Sequence, residues 1–140
     1  MDKDIILNIY TDGAARGNPG PAASAFLIVS GNEIIHQNVD YIGTATNNTA
    51  EYNAIINALT TAQKVHKGRI QIYTDSKLAV NQITNKWKIN YPHLLNLVKQ
   101  IHRLMKKFKN VEISHVTRDH PYIQKCDQLC NEQLDVETRT

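Results

Sequence analysis

Residues 5–20 of this chain read IILNIYTDGAARGNPG. The stretch begins with β-branched and apolar side chains, which are typical of a buried strand, and it closes on a turn signal, GNPG. Between them lies Asp12, a carboxylate at the mouth of an apolar strand, where desolvation is costly unless a positive charge meets it. Residues 69–76, RIQIYTDS, repeat the arrangement and deliver a second acid, Asp75. The two stretches together predict a metal site.

The two carboxylates are expected to meet at one edge of a sheet. Because side chains alternate along a strand, Asp12 shares a face with Tyr10, and Asp75 shares a face with Tyr73. Both acids would then occupy the wetter face of their strand. If the strands are parallel neighbours, their ends lie about 5 Å apart, so that one cation can bridge two carboxylates. Open α/β sheets place ligand sites at these carboxyl ends.

Periodicity and turn signals along the chain predict the order β-β-β-α-β-α-α-β-α. A hairpin ladder followed by β-α-β units implies an α/β fold, with a mixed sheet of these five strands flanked by helices. One domain is expected over residues 1–140, with a frayed tail at 136–140. The predicted strands cover 5–11, 22–30, 33–42, 69–76 and 111–116, and the predicted helices cover about 48–66, 76–83, 92–108 and 123–135.

Glu51 is a third acid with an expected place at this edge. Residues 48–51, NTAE, have the spacing of a capping box with Asn48 as the N-cap. Ile55 and Ala58 follow at helical spacing, and Glu51 lies on the same apolar stripe, so its side chain would point toward the sheet. The alternative is that Glu51 only closes the capping box at the positive end of the helix.

Asp127, on the last predicted helix, is the fourth candidate, although a helix acid is by default exposed to solvent. Three or four converging carboxylates repel one another and resist ionising together. Mg²⁺ or Mn²⁺, which prefer oxygen ligands, would offset that repulsion, and no His/Cys set favours zinc. Two such ions about 3.5–4 Å apart suit displacement at a phosphodiester, where one activates a water and the other stabilises the leaving oxygen.

The composition argues against a membrane protein and against a protein that depends on disulfide bonds. The chain has 140 residues, 41% of them hydrophobic, and no apolar run long enough to cross a membrane. Its start, MDKD, lacks the basic residues of a signal peptide. Cys126 and Cys130 are four residues apart on a predicted helix, which suits two small buried residues better than a disulfide or a zinc site. A reducing, cytoplasmic location is therefore expected.

The net charge of +3 conceals an asymmetry. Residues 76–111 contain eight Lys or Arg and no acid, whereas the remainder carries eight bases against thirteen acids, a net charge of −5. Such a block is often only a solvated face. Here it is interleaved with Trp87, Tyr91, His93 and His102, which favours a polyanion such as nucleic acid as the partner.

Four stretches carry a resemblance to a known family: YTDGAARGNPGPAA, TNNTAEYNAIINAL, YTDSKLAVNQI and VTRDHPYIQKCDQLCNEQLD. In order and spacing they closely resemble the signature blocks of type 1 ribonuclease H, over nearly the whole chain. The resemblance implies the ribonuclease H-like fold and a metal-dependent endoribonuclease. Such an enzyme cuts the RNA strand of RNA/DNA hybrids by a two-metal-ion mechanism and leaves 5′-phosphate and 3′-hydroxyl ends.

The resemblance also implies roles for particular residues. The metal ligands would be Asp12, Glu51, Asp75 and Asp127, and His120 would assist turnover or product release. The contacts to the hybrid would be Asn18, Asn47 and Asn48 in the minor groove, Thr46 on a DNA phosphate, and Gly13 and Ser76 on the RNA sugars. The 2′-hydroxyl is what distinguishes the RNA strand. A monomer without an obligate protein partner is expected.

Two features depart from the family pattern. The segment after Asp75 is too short for the basic protrusion of longer members, so Lys86, Trp87, Lys88 and the basic helix would hold the DNA strand, with more salt-sensitive binding. The loop around His120 is also short, and His120 could be a surface histidine.

Three other functions remain as alternatives. A 3′–5′ exonuclease on this fold would want an acid at position 14, which is Ala14. An integrase-like transferase would use Glu as its last acid and would leave the turn at Asn18 without a purpose. A nucleic-acid-binding remnant would require a defect in a site whose four acids are all present.

Overall fold

The computed structural model describes residues 5–139, which form one five-stranded sheet flanked by four helices. The predicted order of elements and the mixed sheet are confirmed. The strands are β1 (Ile6–Ala15), β2 (Gly20–Ser30), β3 (Glu33–Ala45), β4 (Arg69–Thr74) and β5 (Asn110–His115). The helices are α1 (Asn47–Ala62), α2 (Lys77–Ile83), α3 (Pro92–Met105) and α4 (Pro121–Glu137).

The sheet has the order β3-β2-β1-β4-β5. The first three strands are antiparallel neighbours, whereas β1 pairs with β4, and β4 with β5, in parallel. The two acid-bearing strands are therefore parallel neighbours, which is the condition for their acids to lie close together. Pairing of β1 with β4 stops at Tyr10 and Tyr73, while β1 continues beside β2 as far as Ala15. The two central strands thus diverge just before their acids, which opens one edge of the sheet.

Each face of the sheet carries its own hydrophobic core. Helices α1, α2 and α3 cover one face, where Leu7 and Ile9 of β1 are fully buried. Helix α4 covers the other face, where Cys126 and Cys130 pack against Tyr10. Both cysteines are buried and free, as predicted. As predicted, Asp12 lies on the more exposed face of β1, but it is itself only 6% exposed, because α4 packs over that part of the strand.

Several predicted boundaries needed correction. Strand β1 does not end before Asp12, since β2 offers it a pairing partner through Ala15. Helix α3 ends at Met105 rather than 108, although Phe108 remains in the core. Helix α4 extends through Glu137, so the first two of the five residues of the expected frayed tail are helical; Thr140 lies outside the described residues.

The predicted cap of α1 was also wrong. Thr46, not Asn48, is the N-cap: its Oγ1 accepts a hydrogen bond from the Thr49 N–H at 3.2 Å. The threonine satisfies one of the unpaired N–H groups of a helix that begins at Asn47, one residue before the predicted start. Glu51 is consequently too far along the helix to close a capping box.

No helix in the described part of the chain, residues 5–139, combines the length and apolarity needed to cross a membrane. The expectation that the first four residues do not begin a signal peptide concerns residues outside the described range.

Candidate metal centre

Three carboxylates converge where β1 and β4 diverge. Asp12 comes from β1, Glu51 from the first turns of α1, and Asp75 from the residue after β4. Each offers one oxygen, and these atoms all lie within 4.8 Å of one another. Asp12 and Glu51 are 39 residues apart in sequence, and Glu51 and Asp75 are 24 apart. The three acids nevertheless form one cluster, at the edge of the sheet where the metal site was predicted.

Glu51 is held by a close contact between α1 and the sheet. Gly13, paired with Ser24 across the β1–β2 ladder, lies so close to the helix that a Cβ there would be 2.4 Å from the Glu51 nitrogen. Ser24 Oγ, itself buried, donates a hydrogen bond of 2.7 Å to the carbonyl oxygen of Ala50. Sequence reasoning missed Ser24. Its only signal is a hydroxyl residue in an otherwise apolar strand.

The electrostatics of the cluster favour a bound cation. Burial, followed by the charges of Asp75 and Asp127, raises the pKa of Asp12 to about 7. Burial and the charge of Asp12 raise the pKa of Glu51 well above its ordinary value. The Glu51 Oε2 atom is buried and has no hydrogen-bond partner among the described residues. A buried, unpartnered carboxylate oxygen beside two other acids fits a hard divalent cation such as Mg²⁺ or Mn²⁺.

We expect the metal-free protein to lose stability as the pH rises from about 4 to about 7. The folded-state pKa of Asp12, about 7, exceeds its ordinary value of 3.8, so in this window the folded protein binds more protons than the unfolded chain. Glu51 acts in the same direction. Urea unfolding in a chelator should show a loss of about 2–4 kcal/mol between pH 5 and pH 8. Saturating Mg²⁺ should remove this loss; a flat profile in chelator would contradict the carboxylate cluster.

Asp127 joins the site at its rim. It lines, with the other three acids, a cavity of about 410 Å³, but it is not part of the 4.8 Å cluster. Its side chain is exposed on α4, and its Oδ2 accepts a hydrogen bond from Asn131 Nδ2 at 3.2 Å. The structure therefore brings all four predicted acids to one cavity, three of them in mutual contact range.

His120 is not among the residues that line this cavity. It is the N-cap of α4, where its Nδ1 accepts a hydrogen bond from the Tyr122 N–H at 3.2 Å. Its ring stacks on Tyr10 with the ring centroids 4.9 Å apart. Since Nδ1 is an acceptor here, Nε2 carries the proton in the neutral ring.

Most of the predicted substrate residues surround the acids. Gly13, Asn47, Asn48 and Ser76 line the acid cavity, and Ser76 Oγ also caps α2. A second cleft of about 320 Å³ adjoins it through Asn48, with Asn18 and Thr46 among its lining residues. Asn18 Oδ1 accepts a hydrogen bond of 3.0 Å from the Asn47 N–H, which ties the GNPG turn to the start of α1.

The three residues assigned to the DNA strand lie elsewhere. Lys86, Trp87 and Lys88 follow α2 and line neither the cavity nor the second cleft. The Lys86 and Trp87 N–H groups donate to the Asn81 carbonyl, and Trp87 is 49% exposed. They form a separate exposed ridge with a basic and aromatic surface.

Sequence reasoning missed Arg118. Its Nε atom lies 3.9 Å from Asp75 Oδ2, and the residue lines the acid cavity. The available signal was a cation in the loop after β5, the parallel neighbour of the strand that delivers Asp75. Tyr91 and His93 belong to the basic block of the sequence, but their place in the second cleft was not predicted. His93 Nε2 lies 3.2 Å from Thr49 Oγ1.

Comparison with known proteins agrees with this arrangement. A family model described as reverse transcriptase-like matches residues 10–132. Ribonuclease HI of Halobacterium salinarum is 41% identical over 135 residues, which are 96% of this chain and 67% of that protein. The solved structure of LC11-RNase H1 in complex with RNA/DNA hybrid has a TM-score of 0.87 and 34% identity, with 95% of this chain and 99% of that chain covered.

Some relatives are much longer. A bifunctional protein of Mycobacterium tuberculosis is 34% identical over 129 residues, which are 91% of this chain but only 35% of that protein. This chain therefore spans about a third of that relative's length. Taken with the sheet order, the convergent acids and the near-complete match to ribonucleases H, these comparisons show that the chain belongs to the ribonuclease H family.

Proposed function

We propose that this chain is a divalent-metal-dependent endonuclease that hydrolyses the RNA strand of RNA/DNA hybrids and leaves 5′-phosphate and 3′-hydroxyl ends. The observation that carries the proposal is the cluster of Asp12, Glu51 and Asp75, with ligand atoms within 4.8 Å, at the open edge of a ribonuclease H sheet. A cavity of about 410 Å³ beside the cluster gives a phosphodiester room to approach.

The acids of the chain hold and orient the metal site. Two Mg²⁺ ions, which Mn²⁺ can replace, would supply activation of the attacking water and stabilisation of the leaving oxygen. Asp12, which is buried, and Glu51, whose Oε2 atom is buried, define one side of the site, and Asp75 completes the cluster. Asp127, on the exposed rim of the cavity, would be the fourth ligand.

The residues around the acids position the two strands. Asn47, Asn48 and Ser76 line the cavity and present amide and hydroxyl groups to the RNA backbone and the minor groove. In the adjoining cleft, Asn18 would contact the minor groove and Thr46 a phosphate of the DNA strand. Arg118 would attract a phosphate group while balancing the charge of Asp75.

His120 would act after a conformational change. In this structure it stacks on Tyr10 and caps α4, outside the cavity lining. We infer that it assists product release only when the loop before α4 moves. A location in the cytoplasm, a monomeric state and a single domain over residues 1–140 complete the proposal.

A cleavage assay tests the function. Purified protein is incubated with end-labelled RNA/DNA hybrid, double-stranded RNA, double-stranded DNA and single strands, with Mg²⁺, Mn²⁺ or chelator. Internal cuts in the RNA of the hybrid, dependent on metal, are the expected result. Mononucleotides released from one end would favour an exonuclease, and binding without cleavage would favour an inert nucleic-acid-binding module.

Replacement of Lys86 and Lys88 with Ala should weaken hybrid binding without changing cleavage at saturating substrate. Each lysine that contacts phosphate adds about one unit to the salt dependence, so the slope of log Kd against log salt should fall by about 1–2. Binding would be measured by fluorescence anisotropy with an uncleavable all-DNA duplex and with hybrid in chelator. Lys64→Ala with Lys67→Ala, between α1 and β4, is the matched control; an equal effect there would indicate general charge attraction only.

A further inference from the structure

Asp127, the fourth acid, has a dedicated hydrogen-bond partner. Asn131, one helical turn later on α4, donates from Nδ2 to the Asp127 Oδ2 atom at 3.2 Å and to the Asp127 carbonyl oxygen at 3.1 Å. An exposed carboxylate beside other acids would otherwise turn toward solvent, because its charge is repelled by that of Asp12. The amide of Asn131 opposes this rotation and leaves Oδ1 of Asp127 for the cavity.

Asn131 is itself fixed to the strand that carries Asp12. Arg16, at the end of β1, donates to the Asn131 carbonyl oxygen at 3.2 Å. The same guanidinium pairs with Asp135 Oδ1 at 2.6 Å and donates to Thr138 Oγ1 at 3.2 Å. Three contacts from one planar group fix both distance and orientation. Arg16 therefore ties the second half of α4 to β1.

A contact on the buried face of α4 also sets the distance between this helix and β1. Cys130, adjacent to Asn131 in sequence, is fully buried, and its Sγ lies 3.8 Å from the carbonyl oxygen of Asp12 and 3.6 Å from that of Ala23. The small thiol lets α4 lie close to β1 and β2. Helix α4 is thus fixed at its buried face by Cys130 and at its exposed flank by Arg16, with Asn131 between them.

We propose that Asn131 is a positioning residue that holds the Asp127 carboxylate toward the metal cluster, and that Arg16 anchors the helical turn from which Asn131 acts. The inference rests on the proposed function, because it assigns a task to the fourth acid of that site. Neither residue lines the cavity, so neither is placed to bind the metal or the substrate itself.

Other amide–acid pairs on α4 provide matched controls. Gln128 donates to Glu132 at 2.9 Å, also one turn apart, but neither residue lines the cavity. Such pairs stabilise a helix only weakly. Gln128→Ala therefore removes a comparable helix-surface hydrogen bond without touching Asp127.

The test measures Mn²⁺ binding by calorimetry without substrate and hybrid cleavage as a function of Mg²⁺ concentration. Asn131→Ala should weaken Mn²⁺ binding and raise the half-saturating Mg²⁺ concentration by about tenfold, the usual range for a residue that orients a ligand. Arg16→Ala should shift both in the same direction. Asn131→Gln, which keeps an amide donor, should recover part of the loss, and Gln128→Ala should behave as wild type.

The decisive comparison repeats Asn131→Ala in an Asp127→Asn background, where the substitution should have no further effect on either readout. Equal losses in both backgrounds would overturn the proposal, as would an Asp127→Asn variant with unchanged metal binding and cleavage. If Arg16→Ala lowered only the unfolding temperature, the anchoring role of Arg16 would be wrong. Failure of the wild-type protein to cut hybrid would refute the proposed function instead, while the Mn²⁺ titration would still report on Asn131.

Discussion

Asp12→Asn should lower the rate of hybrid cleavage by about a thousandfold or more, equivalent to about 4 kcal/mol of transition-state stabilisation. Asp12 contributes to the cluster from its centre, with Oδ1 held by the Gly13 N–H at 3.0 Å. An amide of nearly the same shape keeps the packing under α4 but presents a neutral, weaker metal ligand. Single-turnover cleavage at saturating Mg²⁺ measures the loss.

The same variant should be more stable than wild type when metal is absent. Burial and the charges of Asp75 and Asp127 make ionised Asp12 unfavourable, and asparagine removes that charge. Urea unfolding in chelator at pH 8 should show a gain of about 2 kcal/mol; the gain should shrink at pH 5, where Asp12 is protonated in the folded protein only, and disappear below about pH 4, where it is protonated in the unfolded chain as well. Asp40→Asn, on the exposed strand β3, should change neither rate nor stability. A variant that lost activity and stability together would have lost its fold rather than a ligand.

The sequence predicted the fold because its strongest signals are local. Two apolar strands that end in Tyr-Thr-Asp, an apolar helix stripe and clear turns were sufficient for the order of elements and the mixed sheet, both of which the structure confirms. Membership of the ribonuclease H family is confirmed as well. The errors lie at element ends, where a tertiary partner decides. Strand β1 continues past Asp12 only because β2 pairs with it, and Thr46 displaces Asn48 as the cap of α1.

The candidate site likewise contains residues that local sequence patterns predict and residues that they do not. The convergence of Asp12, Glu51 and Asp75 followed from strand ends and helix periodicity, which are short-range patterns. Short-range patterns could not identify Arg118, because its position beside Asp75 depends on the parallel pairing of β4 with β5. The position of His120 depends on how a short loop packs its ring against an aromatic cluster, which no local pattern specifies. The roles of the individual residues stay predictions until they are tested by substitution.

Gly13→Ala should damage both the stability and the activity of the protein. A Cβ at this position would lie 2.3 Å from the Ala50 carbonyl carbon and 2.4 Å from the Glu51 nitrogen, both backbone atoms that cannot turn aside. Helix α1 would have to move away from β1, at a cost of about 1–3 kcal/mol for the overpacked contact. The moved segment carries Glu51, and a shift of about 1 Å at a catalytic group can cost about a hundredfold in rate.

Two companion variants separate the loss of stability from the loss of geometry. Gly43→Ala, at a positive φ of 77° with nothing within 4 Å of the added Cβ, introduces backbone strain on β3 but leaves α1 in place. It should lower the unfolding temperature while cleavage stays close to wild type. Ser24→Ala removes the hydrogen bond to the Ala50 carbonyl without pushing the helix, and should raise the Mg²⁺ requirement modestly. If Gly13→Ala cleaved hybrid at the wild-type rate, the close contact between β1 and α1 could not be what positions Glu51. A rate loss of similar size in Gly43→Ala would instead trace the effect to stability alone.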